Sequence, residues 1–234
     1  MGARRLSHTD APRTRTLNGI GVVTALAAEA RAFGSQPGAL LALSGMGAAA
    51  AGAAARGLVE ARVSSLMTFG LAGGLDPSLV AGSVVLPERL LSLAGQRFEV
   101  SGAWRSRVAA AIGASRAVTG GALLTTANAL ATTAEKAAAW SESGAAAVDM
   151  ESTAVAAVAA AHNIPFIAVR VVVDTATDML PPTVIAASRA GRVRIGRLIA
   201  GVVLAPGEIG ALIRLAQRYR TAMRTLQAVA GHVA

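Results

Sequence analysis

The sequence predicts an α/β fold: a single domain around a central mixed, mostly parallel sheet flanked by helices, with a basic helical extension at its C-terminus. Three observations predict it. Short apolar runs of strand length alternate with Ala-rich runs of helix length, the pattern of βαβ units. Several apolar runs end in Gly-rich or acidic turns, as strands of such sheets do at the end where ligands sit. Hydrophobic residues make up 53% of the chain but aromatic ones only 3%, so small side chains let helices pack closely on the sheet.

Taken in order, Gly19–Leu26 reads as a first strand, and Ala27–Phe33 turns into a helix. Ala39–Leu43 is a second strand ending in Ser44-Gly45-Met46-Gly47, followed by a small-residue helix over Ala48–Ala61. Val63–Phe69 is a strand that ends at Gly70-Leu71-Ala72-Gly73-Gly74. Val80–Pro87 and Leu90–Val100 read as further strands, Trp104–Gly113 as a helix and Ala117–Thr126 as a strand. Ala131–Ser143 is helical, with Thr132 or Thr133 placed to cap it. Ala145–Met150 is a strand, Ser152–His162 a helix and Pro165–Val173 a buried strand. His162 precedes Asn163 and Pro165, where a helix must stop, so capping or solvation suffices for it. Past Pro181-Pro182 the character changes, and Glu208–Val229 is a helix with an apolar stripe Ile209, Leu212, Ala216, Tyr219, Met223 and Leu226.

The net charge of +9 belongs to the ends: +3 in residues 1–19 and +7 in residues 180–234, with the body near neutral. Residues 1–18 lack an apolar segment after their arginines and read as a disordered basic tail rather than a secretory signal. The apolar region 145–169 is interrupted by Asp149, Glu151, His162 and Pro165, which argues against a membrane span. Arg214, Arg218, Arg220 and Arg224 fall off the stripe of the last helix. Its plain reading is a terminal helix packed on the domain with a solvated basic face. The sharper reading is peripheral contact with an anionic membrane surface. Nucleic acid is not expected, since only Tyr219 interleaves with these arginines. The chain has no cysteine and three scattered histidines, which leaves neither disulfide, thiolate chemistry nor a metal site to expect.

Val148-Asp149-Met150-Glu151-Ser152 and Val169-Arg170-Val171-Val172-Val173-Asp174 carry most of the functional signal. They set one acid at the mouth of an apolar helix and another at the end of an apolar strand. A partly desolvated acid ending Ile167–Val173 has its pKa raised, which suits a proton donor. Glu29 follows the first strand, where a carboxylate at a helix N-terminus is also ordinary. Gly45-x-Gly47-x-x-Ala50 loosely matches a dinucleotide fingerprint, but no acid ends the next strand to hold a ribose. A Gly-rich turn cradling part of a nucleoside accounts for it better.

Together these pieces resemble the nucleoside phosphorylase and nucleosidase superfamily that includes methylthioadenosine/S-adenosylhomocysteine nucleosidase. Ala25–Glu29, Ser44–Gly47, Gly70–Leu75 with Val80–Val84, Asp149–Ala154 and Arg170–Asp174 follow the family's order. Leu180-Pro181-Pro182, Gly196-Arg197-Leu198 and the run from Pro206 to Leu215 are similar to the hopanoid-associated phosphorylase branch. The catalytic body is expected over residues 19–180, with a helical extension over 181–234 that packs on the domain or on the membrane surface; the superfamily forms dimers or hexamers, and a cytoplasmic homodimer is the default expectation. The resemblance implies release of adenine from a 5′-modified adenosine, with adenosylhopane of hopanoid biosynthesis as the substrate and no cofactor. Asp174 would protonate the base and Glu29 would activate water. Glu151 would hold the sugar hydroxyls under Met150, and Ser44, Gly45 and Arg170 would join the substrate site. Leu71, Ala72, Gly73, Asn128, Leu130 and Ala131 would line the base pocket.

Departures accompany the resemblance. Val173 stands where the family has Ser before the acid, which removes a hydrogen bond orienting Asp174. Ser83 and Asn128 each replace an Asp, and Leu130-Ala131 replaces a bulkier pair. Glu29 also stands where a phosphorylase holds its anion, which favours hydrolysis. Arg31, Arg56 and Arg170 leave open the alternative of ribosyl transfer to inorganic phosphate, a glycosyltransferase reaction. A non-catalytic nucleoside- or lipid-binding protein is the further alternative.

Overall fold

The computed structural model describes residues 19–182, 184–185 and 209–233. The expected tail 1–18 and the tail motifs Gly196-Arg197-Leu198 and Pro206-Gly207 lie outside the described residues. In chain order the first elements are β1 (Ile20–Thr24), α1 (Ala27–Phe33), β2 (Ala39–Leu43), α2 (Ala48–Glu60), β3 (Ser65–Gly74), β4 (Val84–Val85), β5 (Arg89–Ser92) and β6 (Arg97–Glu99). They are followed by α3 (Gly102–Gly113), β7 (Val118–Thr119), β8 (Ala122–Thr125), α4 (Thr133–Ser143), β9 (Ala145–Asp149), α5 (Ser152–Ala161), β10 (Phe166–Asp174) and α6 (Ile209–Ala230).

Strand β3 organises the sheet. It pairs with β10 in parallel, from Leu66 opposite Phe166 to Gly73 opposite Asp174. On its other edge the first half pairs in parallel with β1, and Gly73 and Gly74 pair antiparallel with β9. Six of the nine strand pairings are parallel, so the sheet is mixed and mostly parallel as the sequence predicts.

Side-chain alternation along β10 sorts the core into two layers. Phe166, Ala168 and Val172 meet α2 and α5 through Ala51, Ala55, Leu58, Val155 and Ala159. Ile167, Val169 and Val171 meet α1, α3 and α6 through Phe33, Trp104, Ile112, Leu226 and Val229. Small residues let α2 and α5 approach closely, and a Cβ on Gly52 would lie 3.9 Å from that of Ala154. Phe33 meets Phe69 edge to face, with centroids 5.1 Å apart; such a pair contributes about 1 kcal/mol beyond its buried area.

Three expected strands are broken. Leu90–Val100 is the hairpin β5–β6, turned by Gly95 at φ 79° with its N–H on the Ser92 carbonyl. Ala117–Thr126 divides at Gly121, φ 83°, which sends the chain from pairing β4 to pairing β5. In Val80–Pro87 only Val84–Val85 is strand, because Gly82 at φ 92° closes a turn from Val80 to Ser83. Conversely, Gly70–Gly74 is the end of β3 and not a turn. Of the stripe predicted for α6, Leu226 is buried, Leu212, Tyr219 and Met223 are half-buried and Ala216 is exposed, while Ala222, Val229 and Ala230, outside that stripe, are buried.

Candidate active site

Glu29 is the third residue of α1, and its carboxylate does more than cap that helix. Oε2 accepts the N–H groups of Ala25 and Leu26 at 3.0 and 2.9 Å, and Oε1 accepts that of Leu71 on β3 at 2.9 Å. Burial raises its pKa, with the Arg170 charge and the three amides working against the rise. Gly70 is required beside it, since a Cβ there would sit 2.5 Å from Glu29 Oε1 and 2.7 Å from Arg170 Nη1.

Arg170 occupies a position in β10 where alternation calls for an apolar side chain facing α5. It is 3% exposed and gives Nε and Nη2 to Asp149 Oδ2 at 3.0 and 2.7 Å, and Nη2 to Ser152 Oγ at 2.9 Å. Asp149 also accepts from Thr125 Oγ1 at 2.7 Å, and Ser152 Oγ lies 2.8 Å from Thr68 Oγ1. Nε and Nη2 of the guanidinium expected to touch substrate are thus engaged by protein acceptors, while Nη1 lies beside Gly70 and Glu29. Burial of its charge is offset by Asp149, Glu29 and Glu151, which hold its pKa up.

Glu151 reaches across to the start of α2, and its Oε1 accepts the Gly47 N–H at 2.7 Å. The glycine run that resembled a dinucleotide fingerprint therefore presents its helix terminus to a carboxylate of this chain. Burial, then Asp149, pushes the Glu151 carboxyl up to about 7, while Arg170 pulls it back. Met150 is half-buried between the two acids. Ser44 Oγ donates to the Gly45 carbonyl at 2.7 Å and the Thr24 carbonyl at 3.2 Å, closing the turn after β2 with Gly45 at φ 82°.

Asp174 ends β10 after a β-bulge: Val172 faces Ala72, Asp174 faces Gly73, and Val173 is the extra residue. A bulge re-aims the residue that follows it, and here it leaves Asp174 opposite Gly73 instead of Gly74. Asp174 is 5% exposed, and burial raises its pKa while Lys136 lowers it. Val173 provides no hydroxyl, yet the carboxylate is held from the other side by Lys136 Nζ at 2.5 Å from Oδ2. The hydrogen bond that Val173 cannot give thus reaches Asp174 from a residue of α4.

The remaining predicted residues arrive at the same end of the sheet. Leu71, Ala72 and Gly73 lie along the end of β3, between the contacts of Glu29 and Asp174. Asn128, Leu130 and Ala131 form the loop into α4; Asn128 is exposed, and the Ala131 carbonyl takes the Leu180 N–H at 2.8 Å. Arg31 and Arg56 are exposed. Sequence reasoning missed Lys136, and also Arg218 and Tyr219 of α6. Arg218 pairs with Asp178, whose carboxylate closes the turn after Asp174 by accepting Thr175 N–H and Oγ1–H. Tyr219 lies close enough to Glu29 for that charge, after burial, to raise its pKa. A signal for Lys136 did exist, because it is the chain's one lysine against 21 arginines. Among the described residues no group of three or more His, Asp and Glu gathers to hold a metal ion.

Comparison with known proteins places this geometry. The family profile described as the phosphorylase superfamily matches residues 22–203. No curated protein matches the chain significantly. Among solved structures, the 5′-methylthioadenosine/S-adenosylhomocysteine nucleosidase of Neisseria meningitidis in complex with methylthio-immucillin-A superposes with a TM-score of 0.71 at 19% identity, covering 92% of this chain and 98% of that one. A mutant Helicobacter pylori nucleosidase with 5′-methylthioadenosine in its active site gives 0.67 at 16% identity, covering 91% and 97%. The futalosine hydrolase of Helicobacter pylori gives 0.67 at 16%, covering 92% and 98%. These likenesses show the fold, and the family profile spans most of the chain that builds the site; the protein is an enzyme of the phosphorylase superfamily.

Proposed function

We propose that this enzyme cleaves the N-ribosyl bond of a 5′-modified adenosine by water attack, releasing adenine. The observation that carries the reading is the placement of buried Glu29 and Asp174 along one stretch of β3. Glu29 binds at Leu71 and Asp174 lies against Gly73, two residues on, a separation of about 7 Å at strand rise. In this reading the ribosyl carbon lies between the two acids, with its base toward Asp174 and a water toward Glu29. Asp174 protonates the base at N7 so that it leaves neutral, and Glu29 takes a proton from the water. Glu151 accepts hydrogen bonds from the sugar hydroxyls, and Met150 packs on the sugar. Leu71, Ala72, Gly73, Asn128, Leu130 and Ala131 enclose the base, and Ser44 and Gly45 shape the sugar end. Buried carboxylates held in place beforehand stabilise the developing oxocarbenium charge.

Water is favoured over phosphate because an anion beside Glu29 would be repelled, and because Arg170 already gives Nε and Nη2 to Asp149 and Ser152. Arg31 and Arg56 are exposed. The 5′ substituent is read as apolar, with adenosylhopane the substrate suggested by the tail motifs. Exposed Leu43 ends β2 and exposed Met179 follows β10, both at the carboxyl end of the sheet, and exposed Ile213 lies on α6 five residues before Arg218. A cytoplasmic homodimer touching the membrane through α6 suits such a substrate.

The test is adenine release from 5′-methylthioadenosine, followed chromatographically with and without phosphate, and then from adenosylhopane in detergent. Equal release in both buffers is expected, with Asp174→Asn slower by about 100-fold or more. Strict dependence on phosphate would make the enzyme a phosphorylase and remove the water-activating role from Glu29.

A further inference from the structure

Among the described residues, the chain's one lysine is the charged residue with the least exposed surface. Lys136 sits one turn into α4, fully buried, and Nζ meets three oxygens: Asp174 Oδ2 at 2.5 Å, the Thr175 carbonyl at 2.8 Å and the Asp178 carbonyl at 3.0 Å. Carbonyls only accept, so two N–H bonds are committed to the backbone and the third points at the carboxyl. The arrangement is braced from both sides. Thr132 and Glu135 cap α4 reciprocally, and the Lys136 N–H closes on the Thr132 carbonyl. The turn carrying the two carbonyls is pinned by the Asp178 carboxylate and by Arg218 of α6. A buried ammonium needs all three of its N–H groups satisfied, and with two of them fixed on the backbone the direction of the third is set.

We propose that Lys136 is the positioning residue for proton donation by Asp174, aiming its carboxyl through Oδ2 and stabilising the carboxylate left when the proton passes to the base. This rests on the nucleosidase reading of the site. In the step concerned, the O–H bond of Asp174 breaks and an N–H bond forms at the base. The glycosidic C–N bond breaks with its electron pair staying on the base. Negative charge then appears on Asp174 at the moment of bond cleavage, opposite a fixed ammonium and in buried surroundings where the attraction is little screened. The charged groups that face Asp174 are Lys136 from α4 and Arg218 from α6, while β3 presents glycine. Burial raises the Asp174 pKa and Lys136 holds that rise in check. Removing Lys136 therefore leaves Asp174 protonated to higher pH but makes it a poorer donor.

The experiment is the pH profile of kcat for adenine release by the wild type, Lys136→Met and Lys136→Arg. The methionine variant is expected to lose activity about tenfold or more, with the basic limb moved up by about 1–3 pH units. Lys136→Arg, which keeps the charge, is expected to lose rate while its limb stays near that of the wild type. Lys136→Gln replaces the methionine variant if the latter does not fold. A purely structural lysine would lower the rate and leave the limb in place, and that result in a folded variant overturns the proposal. Carbon-13 titration of the five aspartate carboxyls, with Asp174 assigned through Asp174→Asn, separates the two readings. A wild type that releases no adenine overturns the nucleosidase reading. An Asp174 signal that titrates identically with and without Lys136 overturns the coupling itself.

Discussion

Glu151 shows how a single buried carboxyl links chemistry to stability. Its pKa is pushed up to about 7, first by burial and then by Asp149. A folded-state pKa above the unfolded one means that the folded state binds the proton more tightly. The stabilisation is fully present below pH 4.5, the ordinary value, and is lost as pH rises through 7. Glu151→Gln keeps an acceptor for the Gly47 N–H and removes the titration. Its unfolding free energy is expected to fall less than that of the wild type between pH 5 and pH 8, by up to about 3 kcal/mol. Urea titrations at the two pH values measure this, and equal slopes in the two proteins would show that the carboxyl is ionised throughout. Asp174, whose pKa is also raised, contributes in the same direction in both proteins and cancels from the comparison.

At the scale of elements, the end of β3 sets the spacing of the site. Periodicity reads Val63–Phe69 as the strand and assigns the glycines to a turn, because glycine usually punctuates strands. Here the glycines stay in the ladder, and Gly70 is bare because Glu29 and Arg170 approach its Cα from neighbouring elements. Gly70→Ala is expected to leave the sheet intact, since its pairing with Arg170 uses backbone alone. The added methyl must displace the Glu29 carboxylate, and a shift near 1 Å in a reacting group costs about 100-fold in rate. Adenine release at the wild-type rate, with an unchanged melting curve, would show that the carboxylate position does not matter. The bulge at Val173 acts similarly at the end of β10, because one extra residue decides which neighbour Asp174 faces. Nothing in the run Val171-Val172-Val173 announces it, since a bulge reflects pairing with a distant strand.

At the scale of the whole molecule, α6 joins the basic extension to the catalytic body. Its last turns place Leu226, Val229 and Ala230 in the core against β10, so the helix is part of the fold and not an appendage. Membrane contact must therefore be tested in the full chain. Arg214, Arg220 and Arg224 are exposed, whereas Arg218 is engaged with Asp178. Replacing those three by Gln is expected to weaken co-sedimentation with anionic vesicles by about 1 kcal/mol per charge, with adenine release from a water-soluble nucleoside unchanged. Equal sedimentation of both proteins would remove α6 from membrane binding, and among the described residues no helix is long and apolar enough to cross a membrane. The sequence by itself determined the order of strands and helices, and it placed Glu29, Glu151 and Asp174 at element ends, because hydrophobic period and turn chemistry are local properties. Only the tertiary structure decided which groups those acids meet: Gly47 is 104 residues from Glu151, and Lys136 is 38 from Asp174. Local pattern can set an acid at the end of a buried strand, as it does for Asp174, but it cannot name the partner that acid will meet, since partners are fixed only when distant elements pack.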